Sequence, residues 1–223
     1  MEKIISVLSR SLLFKGLDEQ LLQEIIDGGD WEKRSYRKGE SIFEIHESYS
    51  KLSLILTGTV EIHRPLLNGS NLCIEWREES DLFGGATVFS EEGEVPGCRA
   101  LAKCSVELIS FSGEAFDNIL SRYPLVVRNM NRLYSRRVLD YQQRLELFSY
   151  SSIKKKIAYY CLNILKCEGD RKLPFSRSKW AEYLNVSRPS LQRELKELER
   201  GGALTLDKRL NMTFEREILE NYL

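Results

Sequence analysis

From Leu125 to Phe148 the chain contains neither glycine nor proline, and no other feature constrains its fold as strongly. Pro124 stands just ahead of this run, where a proline's missing N–H costs nothing in the first turn of a helix. Apolar residues recur at Met130, Tyr134, Val138, Tyr141, Leu145 and Phe148, at spacings of 4, 4, 3, 4 and 3. That is a heptad-like seam, with Arg, Asn and Gln on the other faces. A seam narrower than the stripe of an ordinary surface helix suits pairing with a second copy of itself. The expectation is a long dimerisation helix with a hinge near Ser149–Ser152, spanning residues 123–150. It separates a domain over 1–122 from another over 151–223.

The two flanks differ in period. Ile4, Ile5, Leu8 and Leu12 recur at helical spacing, and Leu21, Leu22, Ile25 and Ile26 follow after Gly16. From about Trp31 the period falls to two. Leu52, Leu54 and Leu56 alternate with Ser53, Ile55 and Thr57, and Asn68-Gly69 reads as a hairpin turn. Short strands punctuated by glycines predict a small antiparallel barrel or sandwich, and AFDNILSRY then predicts a short helix. The predicted class is therefore α+β. Charge is divided along the same line: residues 1–150 carry 18 Lys/Arg against 23 Asp/Glu, a net −5, and residues 151–223 carry 15 against 10, a net +5. An acidic part joined to a basic part fits a sensor joined to a polyanion binder.

The basic part holds the most specific pattern. In 175–214, FSRSKWAEYLNVSRPSLQRELKELERGGALTLDKRLNMTF, Ser176 can cap a short helix whose inward face is Trp180, Ala181 and Leu184. Asn185-Val186-Ser187 is a tight turn. Ser187 can cap a second helix with Pro189 in its first turn, a buried stripe of Leu191, Leu195 and Leu198, and an end at Gly201-Gly202. Alternating runs on either side of Asp207-Lys208-Arg209 predict a small hairpin. Two short helices joined by a tight turn form a helix-turn-helix, whose second helix enters the major groove. Ser187, Arg188, Ser190, Gln192 and Arg193 front that helix. Arg can grip guanine O6 and N7 with two hydrogen bonds, and Gln can do the same for adenine N6 and N7. Lys179, Lys196, Lys208 and Arg209 are the expected phosphate contacts.

This segment resembles the DNA-binding domain of the Crp/Fnr family through SRSKWAEYLNVSRPSLQRELKELERGG. Earlier segments agree in family order: LFKGL, YRKGESIF, LILTGTVEI, DLFGGATVF and CRALAKCSVELI. The resemblance implies a cyclic-nucleotide-binding-type antiparallel β-roll, a long dimer helix and a winged helix-turn-helix. It further implies a bacterial transcription regulator that binds a pseudo-palindromic operator as a homodimer. Arg188 and Arg193 match arginine positions of the cyclic-AMP type. Pro189 stands where the family commonly has a Glu, so the usual half-site is not read in full.

The resemblance also argues against cyclic AMP. Members that bind it hold the ribose with a Gly-Glu pair and the cyclic phosphate with an Arg-Ser or Arg-Thr pair. Here Gly84 is followed by Gly85, and Glu94, Val95 and Pro96 stand where the anion clamp belongs. Iron–sulfur members use cysteines mostly near the N-terminus, but the first cysteine here is Cys73. Haem would need ligands from His46 and His63, the only histidines, and a thiol switch would need Cys98 and Cys104. Five cysteines without a CxxC pair suggest free thiols, and neither a metal site nor a resident cofactor is expected. What remains is an unidentified small-molecule effector, or none. An effector would lie against Gly84, Gly85 and Arg99 from the roll and Tyr141 and Gln142 from the long helix. The expected partners are double-stranded DNA, a second copy of the chain, RNA polymerase and that effector. No apolar run approaches the ~20 residues that span a bilayer, so no membrane partner and a cytoplasmic location are expected. No P-loop, GxSxG or HExxH occurs, and Glu91-Glu92 in a glycine-bounded loop reads as solvated, so no enzymatic activity is expected. A ligand-binding module acting through a protein partner is the alternative reading.

Overall fold

The computed structural model describes residues 1–28, 30–47, 49–89, 97–165 and 171–223, and divides them into two units, 1–136 and 137–223. Glu91, Glu92, Glu94, Val95, Pro96 and Cys167 lie outside the described residues.

The first unit opens with helices α1 (Glu2–Arg10) and α2 (Glu19–Asp27). Asp18 caps α2 by accepting the Leu21 N–H at 2.9 Å. Strands β1 (Trp31–Tyr36), β2 (Ser41–Phe43), β3 (Lys51–Thr57), β4 (Val60–Pro65), β5 (Asn71–Arg77) and β6 (Leu82–Phe83) follow. After the one-turn helix α3 (Gly85–Val88) come β7 (Arg99–Ala102), β8 (Val106–Ser112) and α4 (Gly113–Arg122). All pairings are antiparallel, in two four-stranded sheets ordered β1-β8-β3-β6 and β2-β7-β4-β5. Gly69 sits at φ +80° in the turn that joins β4 to β5, as the Asn68-Gly69 signal predicts.

The alternation expected along β3 is hidden by burial on both faces. Leu52, Leu54 and Leu56 pack with α1, α2 and α4, and Ile55 faces the inside of the roll with Val60, Ile62, Ala100 and Leu108. Ser53, also fully buried, hydrogen-bonds Ser110 across the sheet at 2.7 Å. Helix α5 (Pro124–Ser149) begins in this unit. Its buried Val126 joins the helical core, and Asn129 donates to the carbonyls of Leu13 and Lys15 at 3.0 and 2.7 Å.

The second unit contains the rest of α5, then α6 (Ile153–Tyr159), which continues through a π-helical turn over Tyr160–Leu165. Strand β9 (Arg171–Lys172), helices α7 (Arg177–Tyr183) and α8 (Arg188–Arg200), strands β10 (Leu204–Leu206) and β11 (Asn211–Phe214) and helix α9 (Arg216–Glu220) complete it. The strands form one sheet ordered β10-β11-β9. Leu147, Ile157, Tyr160, Trp180, Leu184, Leu191, Leu195, Leu198 and Met212 share a single core. Tyr160 is its aromatic centre, 5.4 Å from the Trp180 ring and 5.6 Å from that of Tyr183.

Two expectations meet a different arrangement. The segment Ser149–Ser152, read as a hinge, is bridged on both sides. Leu147 is fully buried with Ile157, and the Tyr159 hydroxyl donates to Glu146 at 2.7 Å. The six-residue seam on α5 also divides. Met130 packs on the helical core of the first unit and Phe148 on the core of the second, while Tyr134 lies against Gly85. Only Val138, Tyr141 and Leu145 remain exposed, at 54%, 40% and 70%, joined by Val127 and Leu139.

Candidate nucleic-acid interface

The local sequence of 176–200 builds the site. Ser176 Oγ accepts the Lys179 N–H at 3.3 Å and starts α7. Asn185 takes φ +52° in the turn, a left-handed conformation that Asn tolerates better than most residues. Ser187 Oγ then accepts the Ser190 N–H at 3.2 Å and donates to Ser190 Oγ at 2.7 Å, which starts α8 with Pro189 in its first turn. Leu191, Leu195 and Leu198 turn inward. Arg188, Gln192, Arg193 and Lys196 are left on the solvent side, where with Pro189 they line a shallow concavity.

The predicted contact residues thus fall into groups. Arg188 and Gln192 stand one helical turn apart on the exposed face of α8. Arg193 is 71% exposed and reaches Glu194 at 3.1 Å, a contact that solvent screens. Ser187 and Ser190 are engaged with each other in the cap. Lys179 is half-buried on α7, Lys196 is exposed on α8, and Lys208 and Arg209 are exposed in the turn between β10 and β11.

That turn is held from inside and from outside. Asp207 accepts the Asn211 N–H and its side-chain amide, both at 2.8 Å. These bonds hold its carboxyl below the ordinary aspartate range. From α7, the Arg177 guanidinium donates to the carbonyls of Leu206 and Asp207 at 2.9 and 3.2 Å. Sequence reading did not single out Arg177. Its position next to the Ser176 cap gives no sign that it reaches a hairpin ~30 residues on, a contact created only by the tertiary fold. Lys156 was missed as well. Its ammonium donates to the carbonyl of Leu184 at the end of α7 at 3.2 Å, and burial lowers its pKa.

The residues expected at an effector site are divided between the units. Gly84 and Gly85 belong to the first, in the turn that starts α3, with Gly84 at φ +84°. A Cβ on Gly85 would overlap the Tyr134 hydroxyl, and one on Gly84 would lie 2.8 Å from the Tyr49 ring. The ground beside Gly85, where the resemblance would put a ribose-binding carboxylate, is thus taken by Tyr134. Arg99 is half-buried on β7 opposite His63, and its Nε has no acceptor among the described residues. Tyr141 and Gln142 are exposed in the second unit. Among the described cysteines, Cys73 and Cys161 are buried and Cys104 is exposed; burial and the nearby Glu75 raise the pKa of half-buried Cys98. Among the described residues no group of His, Cys, Asp and Glu is arranged to hold a metal, and no helix is long and apolar enough to cross a membrane.

A two-sheet roll, a long helix and a helix-turn-helix flanked by a three-stranded wing are the parts of a DNA-binding transcription regulator. The cyclic nucleotide-binding domain family matches residues 33–123. The chain is 26% identical over 176 residues to the cyclic AMP receptor protein of Thermus thermophilus, covering 79% of this chain and 81% of that protein. It is 25% identical to the transcriptional activator protein FnrA of Stutzerimonas stutzeri over 84% of this chain and 77% of that one. The fold is also that of solved structures. The catabolite activator protein of Thermus thermophilus aligns with a TM-score of 0.56 over 95% of this chain and 98% of that one, at 23% identity. CprK complexed with OCPA aligns with a TM-score of 0.70 over 89% and 93%, at 17% identity. Over most of its length the chain is thus similar to curated transcription regulators of the Crp/Fnr type.

Proposed function

We propose that the chain binds a two-fold symmetric DNA site as a homodimer, with α8 of each copy in successive major grooves about one turn (~34 Å) apart. The observation that carries this reading is the solvent face of α8. Arg188, Gln192, Arg193 and Lys196 are all exposed on one capped helix whose opposite face is core. Arg188, Gln192 and Arg193 read base edges, and Lys179, Lys196, Lys208 and Arg209 meet phosphates. Ser187 and Ser190 serve the cap. A proline at position 189 offers no acceptor for cytosine N4, so Gln192 supplies part of the half-site reading. Val138, Leu139, Tyr141 and Leu145, exposed along α5, form the seam between copies. RNA polymerase is the further partner that such a regulator engages. A small effector other than cyclic AMP controls the protein, because Tyr134 takes the place beside Gly85.

The test is selection from a random duplex pool, with an Arg188→Ala, Arg193→Ala variant alongside. The proposal expects a two-fold symmetric motif that the variant does not enrich. Failure of the parent to enrich any motif, with or without cell extract as a source of effector, would favour action through a protein partner instead.

A further inference from the structure

The roll-facing side of β1 carries unusual residues. Glu32, Arg34 and Tyr36 pair with Ser110, Leu108 and Val106 of β8, and the latter two face the apolar inside of the roll. A position facing that core is ordinarily apolar. Here the end of the roll instead opens into a cleft of about 210 Å³, lined by Glu32, Arg34, Tyr36, Tyr49, Lys51 and Ser110 among others. Glu32 reaches Lys51 at 2.5 Å and Arg34 at 3.1 Å. Behind these charges the Tyr49 hydroxyl bonds Ser53 at 2.5 Å, and Ser53 bonds Ser110 at 2.7 Å. Both serines are almost wholly buried, at 0% and 2% exposure. Inward charges can guard an edge strand against unwanted pairing. That duty requires no chain of buried hydroxyls and no cleft in front of it.

We propose that this cleft binds a small zwitterion of the α-amino acid class, and that the bound molecule acts on α5 through Tyr49, the Gly84-Gly85 turn and Tyr134. A cleft of about 210 Å³ has room for a small metabolite. The lining offers cations in Arg34 and Lys51 for a carboxylate, and anions in Glu32 and Glu47 for an ammonium. Phe43 and Ile42 offer apolar surface to a side chain. Ion pairs at the half-exposed mouth contribute little to stability, so exchanging them for ligand contacts costs little. The relay is a run of direct contacts inside residues 1–136. The Tyr49 ring packs against Phe43, tilted, at 4.6 Å and stacks on Phe83 at 6.0 Å. It packs on Gly84, and its carbonyl accepts the Thr87 hydroxyl of α3. Gly85, the first residue of α3, lies against the Tyr134 hydroxyl on α5. A shift of Tyr49 therefore moves the surface on which α5 rests. The relay, unlike the binding site, rests on the DNA-binding reading above.

The test is calorimetric titration of the full chain with each of the twenty common L-amino acids, with butyrate and butylamine as singly charged controls. At least one amino acid should bind saturably at one per chain, and neither control should bind. Arg34→Gln and Glu32→Gln, checked for folding by circular dichroism, should each weaken binding about tenfold or more, the loss of one charge-assisted hydrogen bond. Absence of binding by all twenty, equal binding by a control, or unchanged affinity in both variants would overturn the site. The binding amino acid should also change DNA affinity about fivefold or more, and Tyr134→Ala should abolish that change while retaining the ligand. Binding without any change in DNA affinity would overturn the relay alone. Because calorimetry reads the site without DNA, failure of DNA binding is distinguishable from failure of the site.

Discussion

Replacing Gly85 by Ala tests whether Tyr134 is seated as described. Gly85 has an ordinary backbone conformation, so an alanine meets no dihedral strain there. In an open position the change would be neutral or slightly stabilising, through the unfolded chain. Here the new methyl meets the Tyr134 hydroxyl, with Leu52 Cδ1 at 3.1 Å as the next neighbour. The leucine methyl is the end of a flexible side chain and can yield. The tyrosine must leave its place or push α5 away. Overpacking of this kind costs about 1–3 kcal/mol. In a Tyr134→Ala background the obstacle is gone, and Gly85→Ala should cost almost nothing. The interaction term of the double-mutant cycle is then about 1–3 kcal/mol. Urea unfolding followed by tryptophan fluorescence measures it, since Trp31 and Trp76 lie in the unit concerned. Equal costs of Gly85→Ala in the two backgrounds, within about 0.5 kcal/mol, would refute the contact.

Four other outcomes follow from particular residues. Ser187→Ala removes the acceptor at the start of α8 and should lower the stability of the second unit by about 1 kcal/mol in thermal or urea unfolding. Leu191→Ala empties a fully buried site beneath the exposed face of α8 and should cost about 2–5 kcal/mol by the same assay. Burial raises the pKa of Glu61, but hydrogen bonds from Lys103 and His63 outweigh it and leave the carboxyl below its ordinary 4.5. A depressed folded-state pKa gives stability that is complete above 4.5 and lost as pH falls through the lower folded value, so Glu61→Gln should flatten acid unfolding below about pH 4.5. Burial pushes the Cys161 thiol up to about 12, whereas Cys104 is exposed, so iodoacetamide followed by peptide mass spectrometry should label Cys104 first and Cys161 only on unfolding.

Much of the second unit was legible because its signals are local. Ser176, Ser187, Pro189, Asn185 and the Leu191-Leu195-Leu198 stripe each act within a few residues, and each stands where the pattern placed it. The seam on α5 was only half legible. Periodicity shows which residues share a helix face, not which neighbour covers that face. Met130 and Phe148 are claimed by cores formed from distant segments, whereas Val138, Tyr141 and Leu145 stay open. The same limit hid Arg177, whose partners are backbone carbonyls of the wing and carry no side-chain signature. Gly85 was noticed for what it lacks relative to the family. That Tyr134 fills the gap depends on a contact between residues ~50 apart, which no window of sequence contains. On β3, burial on both faces erased the alternation that otherwise marks an inward side, and so hid the polar Ser53-Ser110 pair that backs the cleft.

In the proposed complex α8 reads bases while the wing grips phosphate. The most direct measurement compares Gln192→Ala with Lys208→Ala on the selected duplex and on every single-base variant of one half-site, by fluorescence anisotropy at several salt concentrations. Gln192→Ala should relax discrimination at one base position by about 1–3 kcal/mol and leave the others intact. Lys208→Ala should weaken all duplexes alike and reduce the salt slope by about one. A Gln192→Ala variant that keeps the parent's preference at every position, or a Lys208→Ala variant that changes sequence preference and leaves the salt slope unaltered, would contradict it.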